Sequence, residues 1–345
     1  MANMNIRTPR FYVDTINFLM SRGISQDGNF DVLATDGSAG IIGTSSEAAL
    51  FDMKPLNKCT FDTSSATTSH VMVNIDTQTN SKKSFVAILN HNMASANAKV
   101  LIKGSDKEGH IQAVDMGSAT AMGNPAEVVN ADAISSSIIT PATDGSTIVR
   151  FDESNLRYWG IQFEGTTGGS NNEFGSTDLF VGCVLIGEYY EMPHAPDLSA
   201  KRSIIFDKVS MQESVGGQRY SNMTSFGRQS TSTTKSPFST AVTGQSTMGG
   251  RIAYDLNFSY LNSSDIMPTE YDVHDVANDS VVQDIWNRTN GPHIPFIFSC
   301  DSSSEGEGDN AESEHIFARF GQSSLDMTQV AHDVFNVSMR IEEEF

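Results

Sequence analysis

Phe335-Asn336-Val337-Ser338-Met339-Arg340-Ile341-Glu342-Glu343-Glu344-Phe345 sets the class of fold. Val337, Met339 and Ile341 alternate with Ser338, Arg340 and Glu342. A strand turns successive side chains to opposite faces, so this period of two marks a half-buried strand. The alternation runs to the last residues, and the C-terminus is expected to be part of a sheet. The Glu342-Glu343-Glu344 run reads as a solvated end.

The same signal recurs upstream. Val71, Val73 and Ile75 alternate with Met72, Asn74 and Asp76. Phe85–Leu89, Lys99–Lys103 and Thr147–Phe151 read as further strands, with Asn90–Ala94 a polar link. In Arg157–Phe163, Trp159, Ile161 and Phe163 share a face. Leu179–Gly187 is apolar on both faces, as in a central buried strand. Short strands in series imply an antiparallel sandwich. Residues 116–146 read as a long surface connection, and Thr166 to Gly175 as a Gly-rich turn.

Upstream of the sandwich, Thr8–Asp14 reads as an extended arm leading into a short helix or turn that stops at Gly23. Met192-Pro193-His194-Ala195-Pro196-Asp197 marks a boundary, since proline stops a strand and stiffens a linker. Beyond it come strands at Ser203–Met211, Arg251–Tyr260, Ile294–Ser299 and Ile316–Phe320. One helix is expected over about 269–288, capped by Thr269 and ended by Asn290-Gly291-Pro292. The Ser/Thr-rich stretch 225–245 reads as an exposed loop. The expected organisation is an arm (1–30), a β-sandwich or jelly-roll domain (31–195) and a β-rich domain with one packed helix (196–345).

Composition bounds function. The chain has 345 residues, 38% hydrophobic and 19% charged, with a formal net charge of −20. Nucleic-acid binding needs clustered Lys and Arg, so it is excluded, as is docking on anionic lipid. Cys59, Cys183 and Cys300 form no CxxC pair, which argues against a disulfide framework or structural zinc. Free thiols suit a reducing cytoplasm. No N-terminal apolar signal and no span of ~20 apolar residues is present.

No catalytic or cofactor signature emerges. The eight histidines include no HxxxH or HxH spacing, there is no GxSxG elbow, and Gly165–Gly169 lacks the GK[ST] of a phosphate loop. The expectation is a non-enzyme with no cofactor and no metal. The acidic stretch Asp301 to Glu314 matches no ordered calcium-loop spacing and reads as solvated. Tyr158, Trp159 and Tyr189, with Tyr190, are candidates for an aromatic platform under a sugar ring. Core packing is the competing reading for Trp159, whose neighbours Ile161 and Phe163 share its face.

Three segments carry a resemblance: Ile6–Asp14; Arg157–Gln162 with Val181–Pro193; and Ile316–Phe320 with Phe335–Glu343. Together they resemble structural proteins of tailed bacteriophages, of the tail-tip, distal-tail or baseplate-adaptor, or fibre-attachment type. The middle segment is similar to galactose-binding-like jelly rolls, in which a W-x-I strand precedes a buried strand. The last is similar to the closing strands of tail-tube-like domains. The resemblance implies a virion tail protein made in the bacterial cytoplasm, a homo-oligomer of three- or six-fold symmetry contacting other tail proteins. The alternative it leaves open is a receptor- or carbohydrate-binding tail protein that grips a host surface glycan.

Overall fold

The computed structural model describes residues 7–33, 40–42, 45–64, 70–122, 125–135, 137–166, 173–206, 209–223, 228–229, 248–268, 280–301 and 315–344. The chain is mainly β, and among the described residues every strand pairing is antiparallel. The first part contains β1 (Arg10–Asp14), α1 (Thr15–Ser21), β2 (Phe30–Leu33), β3 (Cys59–Phe61), β4 (His70–His91) and β5 (Ala98–Ser105). The helical turn α2 (Glu108–Ile111) follows, then β6 (Thr120–Ala121), β7 (Pro125–Val129), β8 (Ala133–Ser135), β9 (Ile138–Thr140), β10 (Gly145–Gly165), β11 (Leu179–Val181) and β12 (Cys183–Glu191). The second part contains β13 (Lys201–Ile205), β14 (Val209–Glu213), β15 (Arg219–Met223), β16 (Arg228–Gln229), β17 (Met248–Gly249), β18 (Arg251–Asn262) and α3 (Ser263–Ile266). A wide helical turn at Val281–Asn287 and the strands β19 (Phe296–Ser299), β20 (His315–Phe320), β21 (Met327–Ala331) and β22 (Val334–Glu343) complete it.

The long strands β4 and β10 build the sandwich. They pair along nearly their whole length, with register shifts at Arg150/Ser154 and Leu156/Tyr158. Such irregularities bend a strand pair. One side of the bend holds Val71, Val73, Ile75, Ile161 and Phe163; the other holds Val86, Ile88 and Val149. All belong to one buried cluster, so the ribbon folds over its own core. Trp159 lies inside that core.

Strand β1 is the main correction to the sequence reading. Arg10–Asp14 is no arm: it is a fully buried strand, paired with β12 on one edge and β19 on the other. One sheet therefore runs from the sandwich into the second part. Phe11 and Val13 enter the core built by β18, β20 and β22. Tyr12 enters a third cluster that joins Phe85 and Leu185 to Ile297 and Phe317. The short helix after β1 is present: Asp14 caps α1 through Asn17 N–H at 2.7 Å, and Gly23, at φ +92°, ends it.

Other expectations change as well. Leu179–Gly187 is two strands, β11 paired with β3 and β12 paired with β4; at Gly182 between them the backbone passes so close to the Pro55 carbonyl that no side chain fits. Residues 116–146 form short strands along β5 and β10. The expected helix is described only from Ser280 onward, and the Thr269 cap lies outside the described residues. Ser280 caps the described turn instead: its Oγ accepts from Gln283 N–H at 3.3 Å, and Asp284 accepts from Ser280 N–H at 2.7 Å. The loop 225–245 lies outside the described residues except at 228–229.

The closing strand β22 follows its alternation, with Val337, Met339 and Ile341 buried. The acidic run after it is no solvated end. Glu343 is fully buried and accepts from Ile252 N–H at 2.9 Å, and Glu344 lies 3.4 Å from Arg319.

Candidate functional site

The three sequence candidates do not converge. Trp159 is completely buried, its Nε1–H donates to the Leu156 carbonyl at 3.1 Å, and its ring packs on Phe151 at 5.5 Å. It has no open face to offer a sugar, so this candidate is corrected to a core residue. Tyr158 is half-buried against Met72, Leu101, Ile111 and Met116. The Arg157 guanidinium stands 4.7 Å above its ring and forms two bonds of 2.7 Å with Asp76. Tyr189 lines a cleft, together with its neighbour Tyr190.

That cleft measures about 490 Å³ and opens beside the join between the two parts. Its wall is made by Ser84 of β4, Arg150 to Glu153 of β10, Glu188 to Glu191 of β12, then Pro193 and Asp265 of α3. The register of β4 between β10 and β12 brings these residues together: Phe85 lies opposite Arg150 on one side and Gly187 on the other. Tyr189 N–H donates to Ser84 Oγ at 3.1 Å, which fixes the β12 backbone at the rim. Tyr190 O–H donates to the Asp265 carbonyl at 3.3 Å.

The electrostatics are ordered. The guanidinium groups of Arg10 and Arg150 stand 5.3 and 5.1 Å from the Tyr189 ring centre, within cation–π range. Arg10 also pairs with Glu191 at 2.6 Å. Glu188 is held between Lys82 (3.8 Å) and Arg288 (3.6 Å), and Glu153 by Lys82 (3.2 Å). Arg288 is anchored in turn on Asp284 at 3.4 Å. These contacts orient Glu153, Glu188 and Glu191 in the wall.

Two buried titratable groups lie near the join. The Lys83 amine is completely buried, and burial is the main reason its pKa falls to about 7; Arg288 adds to the fall while Glu188 and Asp14 oppose it. The Asp14 carboxyl, also completely buried, is pushed up to about 6 by desolvation, against bonds from Asn17 and Ile186. His91 is buried, bonded to Thr147 Oγ1 at 2.8 Å, and its pKa falls to about 3 through desolvation.

Cys59, Cys183 and Cys300 are free and buried. Burial pushes the Cys59 thiol up to about 12 and that of Cys183 well above its ordinary value, so both are inert packing groups. Among the described residues, one group could supply three metal-ligating oxygens: Asp27, Asp31 and Glu47, whose carboxylate atoms lie within 4.8 Å of one another. The acidic stretch 302–314 lies outside the described residues; Asp301 is buried and pairs with Arg7 at 3.6 Å.

Sequence reasoning missed Arg150, Glu188, Glu191 and Asp265. The flanking of Tyr189-Tyr190 by Glu188 and Glu191 was a usable signal for two of them. Arg150 and Asp265 become neighbours of that run only through the fold.

No protein-family profile matches the chain, and no curated protein sequence matches it. Two solved structures give weak overlaps. One is a CBM32 module from a family 31 glycoside hydrolase of Clostridium perfringens: 11% identity, TM-score 0.30, spanning 47% of this chain and 95% of the module. The other is chitosan-binding module 1 from a chitosanase/glucanase of Paenibacillus sp. IK-5: 13% identity, TM-score 0.25, spanning 44% and 96%.

Proposed function

We propose that this chain is a non-enzymatic carbohydrate-binding protein whose sugar site is the cleft at Arg150, Tyr189 and Glu191. The supporting observation is the composition of the cleft. Its volume falls in the ~300–1,000 Å³ range of small-ligand sites, and its wall combines an aromatic ring with fixed donors and acceptors. A pyranose presents neighbouring hydroxyls that donate to carboxylates such as Asp152, Glu153 and Glu191 and accept from Arg150. The wall carries five carboxylates (Asp152, Glu153, Glu188, Glu191, Asp265) and one guanidinium. Arg10, Lys82 and Arg288 pair with Glu191, Glu153 and Glu188, so five carboxylates face four cations and a net charge of −1 remains, which favours a neutral or amino sugar over a uronate or sialic acid.

Calorimetric titration with neutral, amino and acidic oligosaccharides tests this reading. Binding of a neutral or amino sugar that is lost in Tyr189→Ala supports it. No heat from any sugar with folded protein refutes it.

The second reading is an assembly component of a phage tail, as the sequence resemblance implies. It is favoured by one observation: the ribbon β14–β15 forms a sheet of its own with Val209, Met211 and Tyr220 exposed. The two readings are compatible, since an assembly protein can also hold a glycan. Electron microscopy of purified protein would refute the assembly reading by returning monomers both alone and with isolated tail structures.

A further inference from the structure

We infer, building on the carbohydrate reading of the cleft, that its preferred ligand is a sugar with a free primary amine, whose ammonium group pairs with Asp152. Three of the five wall carboxylates already hold cations: Glu191 has Arg10, Glu153 has Lys82, and Glu188 lies between Lys82 and Arg288. Asp265 turns its carboxylate to its own helical turn, where Oδ2 accepts from Asn262 N–H at 2.9 Å and from Asn262 Nδ2 at 3.1 Å. The Asp152 carboxylate has no hydrogen-bond or ion-pair partner among the described residues.

Strand β10 sets its position. Phe151 is buried in the sandwich core. Successive side chains of an extended strand turn to opposite faces, so Arg150 and Asp152 share the other face, and both line the cleft. The register with β4 breaks between Arg150 and Ser154, so no residue of β4 is paired with Asp152, which stays exposed. An entering ammonium therefore meets three carboxylates whose cations it would have to displace, and one that is open. Its charge-assisted bond to Asp152 is about twice as strong as the bond of a neutral hydroxyl. An N-acetyl group in the same place brings no charge, and a carboxylate brings the wrong one. Arg150, two residues away on the same face, donates to ring hydroxyls, so amine and hydroxyls have separate partners. Because Asp152 is exposed, the pair is screened by water, and such a pair changes an affinity by about two- to five-fold.

Calorimetric titration of the full chain tests this, with matched trimers of glucosamine, N-acetylglucosamine and glucose and with their galacto counterparts. Within each series the sugars differ only at carbon 2. The amine is expected to bind about two- to five-fold more tightly than the other two. That ratio should fall to near one in Asp152→Asn and persist in Asp152→Glu, which keeps the charge. Thermal unfolding checks that each variant is folded. Equal binding of amino and neutral sugars by wild type, or a ratio that survives Asp152→Asn, overturns the inference and leaves the cleft a sugar site. No heat from any sugar with folded wild type overturns the inference and the carbohydrate reading together.

Discussion

Replacing Lys83 with Met should stabilise this protein, most strongly at and below neutral pH. The Lys83 amine is completely buried, donating to Ser81 Oγ at 2.5 Å and the Lys82 carbonyl at 3.2 Å. Its pKa falls from 10.5 to about 7 on folding. At ~1.4 kcal/mol per unit the buried charge costs about 5 kcal/mol. The sign follows from a depressed folded pKa: the contribution to stability is present above 10.5 and is lost as pH falls through 7. Met matches the stem in length and carries no charge. Glu188 keeps Lys82 and Arg288, and Asp14 keeps its bonds to Asn17 and Ile186, so no partner is stranded. After the hydrogen bonds of the amine are subtracted, at about 1 kcal/mol each, a gain of roughly 2–4 kcal/mol remains at pH 6. Urea unfolding of both proteins from pH 6 to pH 10 reads it directly. The gain should shrink as pH rises. A midpoint below wild type at pH 6, or a gain that does not change with pH, refutes the reasoning.

Asp14→Asn should behave in the opposite pH sense. The Asp14 carboxyl rises from 3.8 to about 6 on folding, so its contribution is present below 3.8 and is lost as pH rises through 6. Asn caps a helix as well as Asp, so the variant should gain about 2–3 kcal/mol over wild type at pH 8 relative to pH 4, read from urea midpoints at both. Gly187→Ala should loosen the join, because a Cβ there runs into the Val13 carbonyl oxygen. Hydrogen exchange should quicken in β1 and β12, with a loss of about 1–3 kcal/mol; unchanged exchange would count against the close approach. Glu343→Ala leaves the buried Ile252 N–H without its acceptor. It should cost about 1–3 kcal/mol in chemical unfolding, whereas a solvated carboxylate would cost nothing.

The sequence carried the strands whose faces differ. Val337, Met339 and Ile341 are buried as their spacing says; Val71, Val73 and Ile75 are buried as well, but so are Met72 and Asn74 between them, so β4 is covered on both faces there. It could not carry β1. All five residues Arg10–Asp14 are buried, so no alternation survives, and the partners of β1 lie in β12 and β19, far along the chain. The short strands within 116–146 have two to five residues, too few to display a period. The run Leu179–Gly187 reads as one strand but changes partner at Gly182, from β3 to β4, and both partners lie far along the chain. The cleft was half legible. The aromatic run at Tyr189 stood out, while Trp159, the more obvious ring, was claimed by the core. Arg150 and Asp265 reach Tyr189 only through strand register and the return of the chain at α3.

The most direct test of the central claim is a glycan-array measurement on wild type and Tyr189→Ala, each shown to be folded by thermal unfolding. The account predicts wild-type binding to neutral or amino glycans, weaker binding to sialylated or uronate glycans, and loss of signal in the variant. A blank array with folded wild type, or a signal unchanged by Tyr189→Ala, would contradict it.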